Sequence, residues 1–151
     1  MTLAPLPNPA AEELEALTRL WEASVRATHD FLAPADLDFF RTLVRREALP
    51  GTELYVLRAP DGRFTAFAGI EGEHLEMLFV APEHRGAGLG RQLVEHLVRT
   101  RNIRTVDVNE QNAQAAGFYA RLGFRVVRRD ALDASGRPYP SLLYTSPRPR
   151  H

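Results

Sequence analysis

A glycine-rich turn between a predicted strand and a predicted helix limits most strongly what this chain can fold into. Gly86, Gly88 and Gly90 stand at alternate positions and open the helix. Because glycine has no Cβ atom, the backbone can approach a ligand closely, and the first N–H groups of a helix have no partner inside it. These donors and the positive end of the helix dipole favour phosphate. The turn therefore predicts a phosphate site, to which Arg85 and Arg91 can each add a charge-assisted hydrogen bond.

What the turn lacks narrows the type of phosphate ligand. A P-loop needs a lysine after its last glycine, whereas all 19 Lys and Arg residues of this chain are arginine. A dinucleotide fingerprint needs G-x-G-x-x-G directly after a strand, whereas the spacing here is G-x-G-x-G and five residues, Ala81 to Arg85, precede it. Asp107 lies about where a ribose-binding acid would fall, which alone is weak support. A pyrophosphate bound in a mode other than these two fits the sequence better. The alternative to a phosphate site is a plain turn in which a glycine is the N-cap of the helix.

Hydrophobic periodicity predicts helices and strands on both sides of this turn. The economical fold is α/β (α+β), with one mixed sheet and helices on both of its faces. Residues 1–145 are expected to form a single domain, and the proline- and arginine-rich residues 146–151 a disordered tail. The predicted helices are Glu12–His29, Pro34–Ala48, the segment after the glycine turn, and Asn112–Leu122. The predicted strands are Leu54–Ala59, Phe64–Ile70, His74–Val80, Ile103–Val108, Phe124–Arg129 and Leu142–Thr145.

Composition argues against several other classes of protein. There is no cysteine, which excludes disulfides, thiolate nucleophiles and cysteine metal sites, and no close pair of other candidate metal ligands shares a helix face. Nineteen acidic residues balance nineteen basic ones, so no net charge draws the chain to nucleic acid or to a membrane. No apolar run is long enough to span a bilayer, and no secretory signal is recognised, which favours the cytoplasm. Near-zero net charge does little to prevent self-association, so a homodimer is left open.

The last predicted helix carries a second polar pattern. Asn112 and Tyr119 fall on one helical face with two alanines between them, which leaves a shallow groove. A slender, flexible ligand fits such a groove. Asn112 would form a hydrogen bond with an amide of that ligand, and Tyr119 would reach its end. The alternative makes Tyr119 a core aromatic with a satisfied hydroxyl. Phe118 and Leu122, on the adjacent face, are expected in the core.

Two motifs in these segments resemble the GNAT superfamily of N-acetyltransferases. Arg85-x-x-Gly88-x-Gly90, after the strand end Val80-x-Pro82, is similar to its acetyl-CoA signature. The segment Asn112-x-x-Ala115-x-x-Phe118-Tyr119-x-x-x-Gly123-Phe124 resembles its second conserved block at the expected distance. The resemblance covers the chain from about Glu12 to Thr145, and three further runs (27–32, 108–112 and 136–140) are similar to a little-characterised bacterial subgroup.

The resemblance implies a fold, with a mixed and mostly antiparallel central sheet, and a cosubstrate. Strands His74–Val80 and Ile103–Asn109 would be parallel and splay apart, and acetyl-CoA would enter between them. Its pantetheine arm would pair with the backbone of Leu78, Phe79 and Val80, as an added strand does. Asn109 would contact the coenzyme or the acceptor. The diphosphate would bind the N–H groups of Gly86, Ala87, Gly88, Leu89, Gly90 and Arg91.

A first strand is also implied within residues 1–8. Pro5 and Pro7 interrupt that segment, and a proline is tolerated only in an edge strand. The first strand is therefore expected to be short or frayed.

The resemblance also implies a mechanism. Tyr119 would give a proton or a hydrogen bond to the departing sulfur, and a backbone N–H near Leu78 would hold the oxyanion. The amine would attack the thioester directly in a ternary complex, because no cysteine can carry the acyl group.

His74 is the first candidate for the base or for a residue that orders water, since imidazole titrates near neutral pH. The alternative is an ordinary half-buried strand histidine. Glu76 is the second candidate, and it is expected on the face of His74 because Leu75, Met77 and Phe79 alternate with these two residues and Leu78. His29 and Asp30 either line the acceptor pocket or cap a helix. His84, His96 and His151 are expected to be exposed.

The function that follows is transfer of an acetyl group from acetyl-CoA to a primary amine. A non-catalytic module that binds or senses CoA would keep the glycine turn and is the main alternative; a nicotinamide-dependent enzyme is a more distant one. The sequence leaves the acceptor open among a small metabolite, an antibiotic, a peptide N-terminus and a protein lysine.

Overall fold

The structure is a computed structural model that describes residues 1–28 and 32–147. These described residues form seven strands and four α-helices, close to the predicted bounds. The strands are β1 Thr2–Pro5, β2 Glu53–Arg58, β3 Phe64–Glu71, β4 His74–Val80, β5 Thr105–Asn109, β6 Arg125–Asp130 and β7 Ser141–Thr145. The helices are α1 Ala11–Thr28, α2 Pro34–Leu43, α3 Leu89–Arg101 and α4 Ala113–Arg121. A π-helical turn, Val44–Ala48, continues α2, and a 3₁₀ turn, Pro82–His84, follows β4.

The strands form one sheet in the order β1-β2-β3-β4-β5-β7-β6. Every neighbouring pair is antiparallel except β4 and β5, which are parallel. This confirms the predicted mixed, mostly antiparallel sheet. β1 is an edge strand only four residues long. It ends at Pro5, so the missing N–H of this proline does not break a ladder of hydrogen bonds that continues beyond it. The expectation of a short first strand is therefore confirmed.

The two faces of the sheet carry two separate hydrophobic cores, because strand side chains alternate between faces. In β3, Ala66, Ala68 and Ile70 pack with α3 and α4, whereas Phe67 packs with α1 and the π-helical turn. Helices thus cover both faces, as predicted. Among the described residues, no helix has both the length and the apolar character needed to cross a bilayer.

The parallel strands β4 and β5 separate soon after they begin. They pair at His74 with Thr105 and at Leu75 with Val106, whereas β5 pairs with β7 along all its five residues. From Met77 onwards, the edge of β4 that faces β5 has no strand partner in the described part of the chain. The predicted splayed pair is confirmed, and it leaves backbone groups open between the strands.

A β-bulge in β4 contradicts the predicted strict alternation of that strand. Gly69 of β3 pairs with Met77, and the next residue pairs with Leu75, so Glu76 is an extra residue. Leu75 consequently packs with α3 and α4, and Met77 with α1 on the opposite face. The expectation that His74 and Glu76 share a face assumed unbroken alternation, so that argument is wrong.

The predicted tail starts inside the described part of the chain. The Ser146 N–H donates to the carbonyl oxygen of Arg104 at 2.7 Å. A Cβ added to Gly123 would lie 3.2 Å from Pro147, so Pro147 lies against the end of α4. These two residues contact the rest of the fold, whereas 148–151 lie outside the described residues.

Candidate active site

A cavity of about 440 Å³ opens between β4, the start of α3 and the face of α4. It lies where β4 and β5 separate and extends to Ser24 and Thr28 of α1. Most residues predicted for the coenzyme line it, namely Leu78, Phe79, Val80, Arg85, Gly86, Gly88, Leu89, Gly90, Arg91, Asn112 and Tyr119. Ala87 and Asn109 do not. The two sequence motifs therefore meet at one cavity.

The glycine turn has the backbone geometry that its sequence suggests. Gly86 and Gly88 both have φ +79°, in the left-handed region, and a Cβ added at either would meet nothing within 4 Å. Gly88 is the N-cap of α3, and no side chain among the described residues caps the start of the helix. The start of this 13-residue helix thus offers open backbone donors to an anion, which fits a diphosphate.

Gly90 serves a different purpose from the other two glycines. It lies within the first turn of α3, and its φ is ordinary. A Cβ there would lie 3.3 Å from the ring of Phe118 and 3.7 Å from Val80. Glycine at this position therefore lets α3 pack closely against α4, a tertiary reason that the spacing of the motif does not reveal.

The two arginines predicted to flank the phosphate have different surroundings. Arg85 donates to Gln114 Oε1 at 2.8 Å and to the Ser24 hydroxyl at 3.2 Å, so it joins α4 to α1. Its Nε is buried and has no partner among the described residues, and burial lowers the pKa of its guanidinium. Arg91 is 64% exposed and pairs with Glu95 at 3.2 Å. Arg85 is thus tied to the walls of the cavity, whereas the one ion pair of Arg91 within residues 1–28 and 32–147 is this exposed pair with Glu95.

Tyr119 is both a core residue and a cavity residue. Its side chain is buried, and its ring packs against Phe118, Phe124 and Tyr144 at centroid distances of 5.0, 5.5 and 6.1 Å. Burial raises the pKa of its hydroxyl far above the usual value, so the group stays protonated. No hydrogen bond joins this hydroxyl to any residue in 1–28 or 32–147, which leaves its proton available to a ligand. Phe118 and Leu122, expected only in the core, line the cavity as well.

The two asparagines are already engaged by local backbone. Asn112 is the N-cap of α4, and its Oδ1 accepts from the Ala115 N–H at 3.1 Å. The Oδ1 of Asn109 accepts from the Gln111 N–H at 2.9 Å. These two amide oxygens therefore shape the start of α4, and contact of Asn112 or Asn109 with a ligand stays a prediction.

His74 forms a cluster with two β5 residues near the point where the strands separate. Its Nδ1 lies 2.6 Å from Thr105 Oγ1, and its Nε2 lies 3.1 Å from Asp107 Oδ2. The hydrogen bond to Asp107 raises the pKa of the imidazole, and the charges of Glu76 and Glu71 act in the same direction. With both nitrogens engaged, His74 has no free lone pair ready to accept a proton. Neither His74 nor Glu76 lines the cavity.

We expect the pair of His74 and Asp107 to make stability depend on pH. Because the pKa of His74 is higher in the folded than in the unfolded state, the pair stabilises the fold fully at pH values below the ordinary histidine pKa of about 6.5. This stabilisation is lost as pH rises through the raised pKa. Asp107→Asn should therefore lower the free energy of unfolding most near pH 6, by on the order of 0.5–1 kcal/mol because water screens this half-exposed carboxylate. Urea unfolding between about pH 6 and pH 9 measures this. In a His74→Gln background the pH dependence of the Asp107→Asn effect should vanish; an effect that is equal at every pH would contradict the pairing.

Several cavity residues were missed or misjudged from the sequence. Ser24 and Arg121 line the cavity and had no motif to mark them, whereas Thr28, in the run 27–32, and Gln114, an unspecified position of the second motif, were not singled out. His84, expected to be exposed, is half-buried and lines it too. His96 is half-buried beside Tyr55, with ring centroids 6.1 Å apart. The predictions for His29, Asp30 and His151 fall outside the described residues.

Comparison with known proteins gives consistent matches. Residues 50–126 match the family model of the acetyltransferase (GNAT) domain. The chain is 43% identical over 131 residues to the peptidyl-lysine N-acetyltransferase YjaB of Salmonella typhimurium. The match covers 87% of this chain and 90% of that protein. The solution structure of apo-form YjaB from Escherichia coli superposes with a TM-score of 0.86 at 39% identity, over 97% of this chain and 99% of that one. The structure of yncA from Salmonella typhimurium with acetyl-CoA shares the fold, with a TM-score of 0.63 at 21% identity, over 100% and 95% of the two chains.

Proposed function

Since the chain belongs to the GNAT acetyltransferase family, we propose that the amine to which it transfers the acetyl group of acetyl-CoA is a lysine side chain of a protein. Membership makes the chain an acetyl-CoA-dependent N-acetyltransferase, and nothing supports the non-catalytic alternative. The acceptor proposal rests on the 43% identity, over most of both chains, to an enzyme named as a peptidyl-lysine N-acetyltransferase. A single domain over residues 1–145 and a cytoplasmic location, where acetyl-CoA is available, are part of the proposal. A homodimer stays a prediction.

The acetyl-CoA site is proposed at the cavity. The open N–H groups from Gly86 to Arg91 would hold the diphosphate, because the left-handed glycines point no side chain into that space. The pantetheine arm would pair with the unpartnered edge of β4 at Leu78, Phe79 and Val80. Arg91, which has only a surface pair to give up, is the better candidate of the two arginines for a phosphate contact.

In the proposed reaction, the neutral amine attacks the thioester carbonyl, a C–N bond forms and the C–S bond breaks. A backbone N–H near Leu78 stabilises the oxyanion. Tyr119 faces the departing sulfur as a hydrogen-bond donor. Full proton transfer is disfavoured, because a thiolate with an ordinary pKa of about 8.5 is a weaker base than a tyrosinate whose pKa is raised by burial. The thiolate takes its proton from solvent.

The proton lost by the amine needs a separate route. His74 stays the first proposal for this step, with Asp107 as its partner and Glu76 as the second candidate. Because none of the three lines the cavity, the proton would reach them through water, and His74 Nδ1 would have to give up its contact with Thr105 to accept it. The cluster lies where β4 and β5 begin to separate, at the end of the gap between the strands.

The acceptor is tested with peptides that differ in one amine. A peptide with an acetylated N-terminus and one lysine should release CoA on incubation with acetyl-CoA, and mass spectrometry should find the acetyl group on that lysine. The same peptide with arginine in place of lysine is the control. The enzyme has no lysine of its own, so self-acetylation of lysine adds no background. Acetylation of free amines without acetylation of the lysine peptide would refute the acceptor but leave the family assignment intact.

A further inference from the structure

The side chain of Arg85 joins two helices that lie on opposite faces of the sheet. One nitrogen of its guanidinium donates to Gln114 Oε1 on α4 at 2.8 Å. Another donates to the hydroxyl and the carbonyl oxygen of Ser24 on α1, at 3.2 and 3.4 Å. All three residues line the cavity. We call Arg85, Gln114 and Ser24 the strap.

The strap lies at the open end of the gap between β4 and β5. The two strands are parallel and separate soon after they begin, so their carboxyl ends point the same way with no strand between them in the described part of the chain. Arg85 lies five positions beyond Val80, the last residue of β4, and Gln114 lies five positions beyond Asn109, the last residue of β5. The bond between Arg85 and Gln114 therefore joins the chain segments that continue the two separated strands.

Ser24 extends the strap from one face of the sheet to the other. On the face of α1, Trp21 packs in one core with Phe67, whereas on the face of α4, Tyr119 packs in the other core with Val106. Because the guanidinium bonds a helix of each face, it spans the gap in this direction as well. A pantetheine arm that runs from the glycine turn along the edge of β4 has to pass the strap to enter the gap.

Neutral groups hold the strap closed. The acceptors of Arg85 are an amide, a hydroxyl and a carbonyl oxygen, and no acid within residues 1–28 and 32–147 forms an ion pair with it. Its Nε is buried without a partner in those residues, and burial lowers the pKa of the guanidinium. An arginine bonds a phosphate more strongly than it bonds an amide. The charge of a diphosphate at the adjacent turn would therefore weaken the strap.

The two ends of the strap differ in how easily they open. Ser24 is 3% exposed, whereas Gln114 is exposed in the first turn of α4. Water can replace Arg85 at Gln114 at little cost. Loss of the bond at Ser24 would instead take a partner from a buried hydroxyl. The strap therefore opens at Gln114 and stays attached at Ser24.

We propose that the strap closes the gap between β4 and β5 in the free enzyme, and that it opens at Gln114 to admit the pantetheine arm of acetyl-CoA. This rests on the proposed function, in which acetyl-CoA lies in this cavity. Because only open molecules admit the arm, the association rate is proportional to the open fraction. Once the arm is bound, the bond to Gln114 is already broken, so it has no effect on dissociation.

The test is Gln114→Ala, which removes one end of the strap and keeps Arg85. Alanine is a good helix former and the position is exposed, so the fold is kept. The association rate constant for acetyl-CoA should rise about fivefold, the size expected for one exposed hydrogen bond, with the dissociation rate constant within about twofold of the parent. Stopped-flow displacement of a fluorescent CoA conjugate measures both. Gln111→Ala, at an exposed glutamine that does not line the cavity, is the matched control and should change neither.

Two comparisons show whether the effect comes from the strap. In an Arg85→Met background the strap is already broken, so Gln114→Ala should no longer change the association rate constant. Adenosine 3′,5′-bisphosphate has no pantetheine arm to pass the strap. Its Kd, measured by calorimetric titration, should therefore agree within about twofold between the parent and Gln114→Ala.

Three results would overturn the strap: an association rate constant that is unchanged or lower in Gln114→Ala, a gain that persists without Arg85, or an equal gain in affinity for adenosine 3′,5′-bisphosphate. Failure of the strap is distinguishable from failure of the proposed site, because Gly88→Ala tests the site alone. If Gly88→Ala weakens binding of acetyl-CoA and Gln114→Ala has no effect, the site stands and the strap is refuted. If neither variant changes the binding of acetyl-CoA, both proposals are refuted.

Discussion

Replacing Tyr119 with phenylalanine is expected to lower kcat about 100-fold while the Kd for acetyl-CoA stays within about twofold. The expected size is that of one donor removed from a charge that develops in the transition state. The hydroxyl contributes little to binding before the transition state, since it has no protein partner in the described residues. The phenylalanine ring keeps the contacts with Phe118, Phe124 and Tyr144. Steady-state release of CoA and calorimetric titration with acetyl-CoA measure the two quantities.

Tyr144→Phe is the matched control for this experiment. Tyr144 is buried in the same core, next to Tyr119, but does not line the cavity. Its replacement should leave kcat within a small factor of the parent. Thermal unfolding should show little change for Tyr119→Phe, because no buried partner is left unpaired. Full activity of Tyr119→Phe would remove this residue from the mechanism, and a large loss of acetyl-CoA affinity would make it a binding residue instead.

Gly88→Ala should raise the Kd for acetyl-CoA about tenfold or more. Gly88 has φ +79° and is the N-cap of α3, so a methyl group there favours a different backbone angle and disturbs the N–H groups that would meet the diphosphate. One weakened hydrogen bond to a charged group accounts for a change of this size. Calorimetric titration with acetyl-CoA measures it, and titration with desulfo-CoA, which keeps the diphosphate, should show the same loss.

Gly62→Ala separates backbone strain from ligand binding. Gly62, in the turn between β2 and β3, also has a positive φ (+90°) and open space around a new Cβ. Both variants should lose about 1 kcal/mol of stability and about 2–4 °C in Tm. Only Gly88→Ala should lose acetyl-CoA affinity. Equal affinities in the two variants would show that the start of α3 does not hold the diphosphate.

The parts of the site that depend on local backbone chemistry were predictable from the sequence. Alternate glycines at the start of a helix have few uses other than close approach, and the structure gives Gly86 and Gly88 the left-handed φ values that only glycine adopts readily. The two motifs also matched a known pattern in register, which made the splayed strands predictable. The edge position of β1 followed from Pro5, because proline cannot donate to an interior ladder.

The parts that depend on partners distant in sequence were not predictable. The bulge at Glu76 arises where β3 and β4 pair, and it reverses the face of Leu75 relative to Met77. Arg85 meets Ser24 across 61 positions, a contact that its spacing from the glycines does not reveal. Arg137 donates to Asp36 across 101 positions. Periodicity carries no information about such pairs, since it describes only one element at a time.

The sheet consists of two antiparallel parts, β1 to β4 and β5 with β7 and β6, and the described backbone joins them at only two residue pairs. A molecule bound along the open edge of β4 would add contacts between these two parts of the sheet. Ligand that binds only the folded form shifts the folding equilibrium towards it by mass action. The lifetime of this enzyme in a cell would accordingly depend on the concentration of acetyl-CoA. When acetyl-CoA is scarce, a larger fraction of the enzyme would be partly unfolded and open to proteases.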